Sequence, residues 1–81
     1  MNVHIRFFAG LVPIVGEKSI DMALPAGATV GMLRDQLVVR FPVLEPFMTT
    51  YACAVGEEMR MPEYVLSDGD LVDVIPPISG G

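Results

Sequence analysis

The chain has few of the side chains on which enzyme sites and disulfide-bonded folds depend: its 81 residues include one cysteine, one histidine and five basic residues. Cys53 stands alone and cannot form a disulfide within the chain, which agrees with a reducing compartment. Paired cysteines and the patterns H-E-x-x-H, G-x-G-x-x-G and G-x-x-x-x-G-K-[ST] are also missing. The sequence therefore gives no motif support for a bound metal, nucleotide or other cofactor.

Basic residues are outnumbered by ten acidic ones, and the net charge is −5. This balance opposes binding to nucleic acid or to an anionic membrane and favours a basic partner. Long apolar runs are missing as well, since none approaches the roughly 18 residues of a membrane span. The N-terminus lacks the basic and apolar regions of a secretion signal. We therefore expect a cytoplasmic protein with no nucleic-acid or membrane partner.

What the chain does have is apolar character, with 52% hydrophobic and 19% charged residues. Such a composition excludes a disordered protein. Eighty-one residues make one domain with a small core. Some of the apolar excess must then remain on the surface.

Hydrophobic periodicity predicts the order of the elements. Residues 3–8 and 19–24 are apolar at every other position and predict two strands, joined by a loop that holds Pro13 and Gly16. Apolar residues then recur at helical spacing over residues 30–41, with Thr29 placed to cap this helix.

Proline ends that helix and restricts the next segment of the chain. Pro42 stops the helix, and with Pro46 it leaves room for only a short helical turn at residues 44–47. Three further strands are predicted, at residues 51–55, 59–61 and 71–75. A turn over residues 56–58 joins the first two, and a turn at Asp68 and Gly69 precedes the last.

This order of elements is that of an α+β fold, the ubiquitin-like β-grasp. The fold is a mixed sheet of four to five strands crossed by one main helix, with the first and last strands parallel at its centre. We assign residues 1–75 to this domain and residues 76–81 to an extended tail.

The tail ends in Gly80 and Gly81 after a proline pair. Pro76 and Pro77 each fix φ near −65° and favour an extended path, so six residues could reach about 20 Å into a partner. Two glycines add no side chains, so the tail fits a narrow channel and leaves the carboxyl group of Gly81 open to attack. We interpret this carboxyl group as the reactive group; the alternative is a frayed terminus.

Several segments resemble a known family. These segments are residues 3–9, 28–34, 54–55, 68–70 and 75–81. Together they are similar to the small, sulfur-carrying subunits of molybdopterin synthases. The Pro-Pro-x-x-Gly-Gly ending is the most specific part, because thiamine sulfur carriers share the fold and the glycine pair but usually lack the prolines. The chain departs from the family at residues 11–16, where many members carry an Arg-Glu-Leu-type segment, and at Gly56, where many carry asparagine.

The resemblance implies that a ubiquitin-activating-type enzyme adenylates Gly81 with ATP and that the acyl group becomes a thiocarboxylate. The sulfur then goes to a cyclic pterin phosphate on a larger catalytic subunit, in a heterotetramer. This chain would have no enzyme activity alone. Three alternatives remain open: a carrier for thiamine or another sulfur-containing metabolite, a protein modifier that joins Gly81 to lysines, and a binding module with an inert tail.

Alternation along the central strands predicts the docking surface. Three apolar residues should point away from the helix beside the start of the tail: Phe8, Leu71 and Ile75. A contiguous apolar patch leading to a reactive terminus indicates a partner-binding surface, which we extend along the tail to Pro76, Pro77 and Ile78. Met59 and Met61 either enlarge the patch or fill the core.

Other polar and reactive residues are expected to be structural. We expect His4 to be ordinary surface and Cys53 to pack in the core as a small hydrophobe. The acidic pairs at residues 57–58 and 68–70 are interpreted as solvated turns, with recognition by a partner's basic patch as the alternative. We also expect the acidic residues 68, 70 and 73 to lie near the start of the tail.

Overall fold

The computed structural model describes residues 1–76, which form one mixed sheet with helices packed on one side. The strands are β1 (Asn2–Phe7), β2 (Ser19–Ala23), β3 (Ala52–Val55), β4 (Glu58–Met59) and β5 (Leu71–Ile75). The helices are α1 (Leu11–Val15), α2 (Val30–Arg40) and a 3₁₀ helix (Pro42–Phe47). The predicted fold class is confirmed, because the sheet has the order β2-β1-β5-β3-β4 and its central strands β1 and β5 are parallel.

The buried face of the sheet follows from the alternation in the sequence. Along β1 and β5 every second residue is buried, and Ile5 pairs with Val72 while Phe7 pairs with Val74. These side chains meet the apolar face of α2, of which Leu33 is fully buried. One contiguous core results, with no buried polar or charged residue among those described.

The predicted start of α2 is confirmed, and hydrogen bonds to a neighbouring loop stabilise it in addition to the Thr29 cap. The hydroxyl of Thr29 accepts a hydrogen bond from the N–H of Met32, 3.3 Å away. The N–H groups of Val30 and Gly31 donate to the carbonyl groups of Tyr64 and of Pro62. A Cβ atom at Gly31 would lie 3.3 Å from that carbonyl oxygen of Pro62, so the absence of a side chain permits the close approach. The helix therefore begins with its free donors satisfied.

The connection between β1 and β2 contains a helix that the sequence prediction missed. Residues expected as loop form α1, in which Pro13 lies within the first turn, where a missing N–H costs nothing. Gly16 ends this helix at φ 83°, and its N–H donates to the carbonyl group of Val12 over 2.8 Å. After α2, helical structure extends over Pro42–Phe47, two residues earlier than expected.

The hairpin β3–β4 is shorter than predicted. Gly56 and Glu57 both have positive φ, 63° and 68°, the pattern of a type I′ turn. A two-residue turn makes Glu58 the partner of Val55, so β4 begins one residue early and ends at Met59. The predicted strand at 59–61 was wrong on both bounds. Gly56 takes its positive φ without the steric cost that a side chain would add.

The two outermost strands of the sheet differ in how their free sides are arranged. β4 has only two residues. β2 has five, and the guanidinium of Arg40 on α2 donates to the main-chain carbonyl of Asp21 over 3.1 Å. The same helix end contacts β1, where the ring of Phe41 packs edge-to-face against Phe7 at 6.2 Å between centroids.

Candidate functional site

The face of the sheet that points away from α2 carries the predicted docking residues. Leu71, Asp73 and Ile75 alternate with the buried residues of β5 and point to this face. Because β1 runs parallel to β5 and pairs Arg6 with Asp73, the outward residues of both strands form one surface. We call this surface the outer face. The strand ends at Phe7 and Ile75 lie at the same end of the sheet, where the tail begins.

An ion pair lies at the centre of the outer face. Nε of Arg6 donates to Oδ1 of Asp73 over 2.7 Å, and Nη2 donates to Oδ2 over 2.9 Å. This bidentate hydrogen bonding is the main reason that the pKa of Arg6 is raised. The Asp73 side chain is only 14% exposed, against 45% for that of Arg6. The carboxylate of Asp73 is thus neutralised within the chain.

Phe8 lies just beyond the end of β1, and the prediction that it faces outward agrees with its contacts. Its ring lies 5.6 Å from the guanidinium carbon of Arg6, at cation–π distance, and the residue is 38% exposed. Ala9 follows with a φ of 53°, an uncommon conformation for a residue with a side chain. The turn of the chain after Phe8 is therefore sharp.

Phe8, Leu71 and Ile75 share the outer face, but the prediction of one contiguous patch beside the tail is wrong, because Leu71 lies at the opposite end of β5 from Ile75. Leu71 is 39% exposed and Ile75 is half-buried, with Asp73 between them. The Arg6–Asp73 pair lies between the apolar residues and forms a polar centre. We call the apolar residues around it, Phe8, Leu71 and Ile75, the rim. The sequence predicted the face of each residue and missed the pairing, which depends on strand register.

The outer face continues across β3 to β4. Asp73 pairs with Ala54, and Ala54 with Met59. Ala54 is 4% exposed yet lies outside the main core cluster, as expected for a small side chain covered by its outer-face neighbours. Met59 and Met61 are 58% and 71% exposed, so they do not fill the core. Met59 extends the outer face, as one of the two interpretations predicted.

The tail itself is beyond the part of the chain that the structure describes. Pro76 is half-buried and is the last described residue. Four predicted site residues lie outside the described range: Pro77, Ile78, Gly80 and Gly81. The geometry of the outer face up to Ile75 and Pro76 is what the structure contributes to the candidate site.

The expected acidic cluster near the start of the tail is wrong for two of its three members. Asp68 and Asp70 precede β5, and the tail follows it, about 16 Å away along five residues of strand. Both carboxylates are used locally: that of Asp68 accepts from the N–H of Asn2, and that of Asp70 from the N–H of Ser67, each over 2.7 Å. The interpretation of residues 68–70 as a turn is confirmed.

The remaining reactive side chains are placed as expected. Cys53 is 2% exposed, and burial raises the pKa of its thiol. His4 is exposed on the outer face, where its Nδ1 forms a hydrogen bond with the carboxylate of Asp21. Among residues 1–76 no three His, Cys, Asp or Glu side chains are grouped closely enough to hold a metal ion. No helix in this range is long and apolar enough to cross a membrane.

Comparison with known proteins decides the family. A sequence model of the ThiS family matches residues 5–81. The chain belongs to the ThiS family. It is 30% identical to a molybdopterin synthase sulfur carrier subunit of Arabidopsis thaliana, over all of this chain and 84% of that protein. It is 32% identical to the protein of the same name from Chlamydomonas reinhardtii, with all of both chains covered.

Similarity extends to a second group of this family. The chain is 32% identical to small archaeal modifier protein 3 of Haloferax volcanii, again over the full length of both. In structure it matches SAMP1 from Haloferax volcanii with a TM-score of 0.89 and 25% identity over all of both chains. It also matches a putative molybdopterin converting factor subunit 1 from Pyrococcus furiosus, with a TM-score of 0.84 and 26% identity over 96% of this chain and 99% of that one. The fold is thus the ubiquitin-like β-grasp of ThiS-family proteins.

Proposed function

We propose that the chain is a sulfur carrier of molybdenum cofactor biosynthesis and acts as the small subunit of a molybdopterin synthase. The observation that carries this proposal is full-length similarity to two proteins with that name. The reactive group is the carboxyl group of Gly81.

The chemistry follows from how a carboxylate is activated. A carboxylate is a poor acyl electrophile, but its mixed anhydride with AMP has a good leaving group. An oxygen of Gly81 attacks the α-phosphorus of ATP and pyrophosphate leaves. A sulfide-level sulfur nucleophile then displaces AMP and gives the thiocarboxylate. ATP is used by the activating enzyme and is not a cofactor of this chain.

The partners are two proteins that receive the tail in turn. The first is a ubiquitin-activating-type adenylating enzyme, and the second is the large catalytic subunit of the synthase, in a heterotetramer. Phe8 and Ile75 lie at or near the start of the tail, and Leu71 lies at the other end of β5; together these rim residues provide an apolar docking surface on the outer face. We also propose a cytoplasmic location. No nucleic-acid or membrane partner is predicted, because a net charge of −5 opposes binding to polyanions.

A second candidate function is a protein modifier, which the similarity to small archaeal modifier protein 3 favours. Both functions begin with the same acyl adenylate, and they differ in the nucleophile that attacks it. Sulfur gives a carrier, whereas a lysine amine of another protein gives an isopeptide bond to Gly81.

Intact-mass measurement of the protein purified from its source separates the two functions. A carrier gains about 16 Da, because one oxygen is replaced by sulfur, whereas a modifier is found in larger covalent adducts. Deleting Gly81 should abolish sulfur transfer to the pterin with purified partners. Glu63→Gln, a change at an exposed residue away from the outer face, is the matched control. Full pterin-sulfurating activity without Gly81 would disprove the carrier function.

A further inference from the structure

The guanidinium of Arg6 has donors that the chain does not use. An arginine has five N–H donors, and Asp73 accepts from two of them, one on Nε and one on Nη2. The structure gives the guanidinium no other hydrogen-bond partner within residues 1–76. Three donors, two on Nη1 and one on Nη2, are therefore available at the surface, where the Arg6 side chain is 45% exposed.

The orientation of these donors is held from several sides. Asp73 fixes the plane of the guanidinium by two parallel hydrogen bonds, and the strand register holds Asp73 beside Arg6. The Phe8 ring contacts the guanidinium at 5.6 Å. A side chain held in this way loses little further freedom when a partner binds.

The apolar residues around Arg6 determine which group a partner must place opposite the guanidinium. Apolar side chains form the rim, with Leu71 before and Ile75 after the carboxylate that holds Arg6. A partner that covers this rim also removes water from the three unused N–H groups. An N–H group buried without an acceptor loses free energy, and the loss is greater when the group is charged. The partner must then supply an acceptor at the centre of an apolar contact.

The charge of the pair decides which acceptor fits. Asp73 already neutralises Arg6, so a carboxylate of the partner would bring a like charge close to Asp73. A carbonyl oxygen accepts the hydrogen bonds without that repulsion. We propose that Arg6, oriented by Asp73, is a specificity determinant of docking that selects a large subunit with a carbonyl oxygen opposite the guanidinium. This inference rests on the proposed function.

Affinity measurements with variants test the inference. Binding of the large subunit of the source organism is measured by calorimetry for the wild type, Arg6→Lys, Asp73→Asn and the double variant. Arg6→Lys keeps the charge but loses the planar set of donors, and we expect about tenfold weaker binding. Asp73→Asn also weakens binding, because Arg6 loses its orientation. The double variant binds no more weakly than Arg6→Lys alone, since Asp73 acts through Arg6.

Two controls separate docking from folding. Arg60→Lys alters an ion pair with Glu58 on β4, with 2.8 Å between Nη2 and Oε2, and should leave affinity unchanged. Leu71→Asp places a charge in the rim and should weaken binding whether or not Arg6 is a specificity determinant. The loss in Arg6→Lys should appear in the dissociation rate, which a change confined to the free protein's stability does not alter.

The outcomes are distinct. If Leu71→Asp weakens binding but Arg6→Lys binds as the wild type does, the inference is wrong and the proposed function stands. If the wild type neither binds the large subunit nor transfers sulfur, both are wrong. If the Arg6→Lys loss disappears in about 0.5 M salt, the acceptor is a charged group and the assignment of a carbonyl oxygen is overturned. A loss of about tenfold at both salt concentrations supports the inference.

Discussion

Cys53 shows how the position of one side chain decides its chemistry. It lies on β3 opposite Val74 of β5, on the buried face of the sheet. Burial disfavours the thiolate and raises the pKa of the thiol, although the nearby charge of Arg34 acts in the opposite direction. A carrier whose only reactive group is to be its terminal carboxyl group benefits from a thiol that does not compete for electrophiles.

The raised pKa of Cys53 leads to a pH dependence of stability. Above the ordinary thiol pKa of about 8.5, the unfolded chain loses its proton while the folded chain keeps it. The unfolded state then binds fewer protons, so the free energy of unfolding falls as pH rises. We expect urea unfolding at pH 7 and pH 10 to show a larger loss for the wild type than for Cys53→Ala. Equal losses in both proteins would mean that Cys53 does not titrate differently on unfolding.

Individual residues were predictable from the sequence when their role depends on alternation alone. The buried position of Cys53 and the outward positions of Arg6 and Asp73 follow from a period of two. Their bidentate contact depends on which residue of β1 lies beside which residue of β5, a register that a parallel pair sets through distant packing. Alternation contains no information about that register, so the polar centre of the outer face was missed.

At the scale of elements, the β3–β4 turn requires glycine at one position. Gly56 has a φ of 63°, and a Cβ atom added there would contact nothing within 4 Å. A Cβ atom added at Gly10 would likewise contact nothing within 4 Å, but the φ of Gly10 is −67°, which suits any residue. The two glycines thus form a matched pair that differs in backbone conformation and not in crowding.

We expect Gly56→Ala to lower the free energy of unfolding by about 1–2 kcal/mol, the cost of a left-handed conformation for a residue with a side chain. Gly10→Ala should raise it by about 0.4–1 kcal/mol, because alanine reduces the conformational entropy of the unfolded chain. Urea titration of the two variants and the wild type measures both changes. A loss of stability in Gly10→Ala comparable to that in Gly56→Ala would contradict the argument from φ.

Elements with strong periodicity were predicted and short ones were not. The helix α2 and the strands β1, β2 and β5 were located within one or two residues, because each has several apolar residues in a regular pattern. The helix α1 has five residues, all apolar except for proline in its first turn, so no polar face marks its period. The signal that could have found it is Pro13, which is tolerated in the first turn of a helix, followed by Gly16, which can end one.

At the scale of the whole molecule, the net charge of −5 acts over distances that local ion pairs do not reach. Asp73 is paired and Asp68 lies far from the tail, so we expect any attraction of a basic partner to come from the net charge of the whole chain and not from an acidic cluster at the tail. We expect the association rate with the large subunit to fall as ionic strength rises from about 0.05 to 0.5 M, with less effect on dissociation.

Stopped-flow measurement checks this salt dependence. A matched variant, Glu17→Gln with Glu63→Gln, removes two exposed charges without touching the outer face and should flatten the dependence. Arg6→Lys keeps the net charge and should leave the slope unchanged. Association rates that stay constant over this range would show that the acidic balance serves solubility alone.

The arrangement of the outermost strands bears on how the protein behaves at high concentration. An open strand side can recruit a second copy of the chain by main-chain hydrogen bonding, the first step of aggregation. Here β4 offers only two residues, and on β2 the guanidinium of Arg40 occupies the carbonyl oxygen of Asp21. Recruitment is thus disfavoured at both sides of the sheet. The edges of the sheet are thus poor sites for a second copy, whereas the outer face stays exposed to a partner.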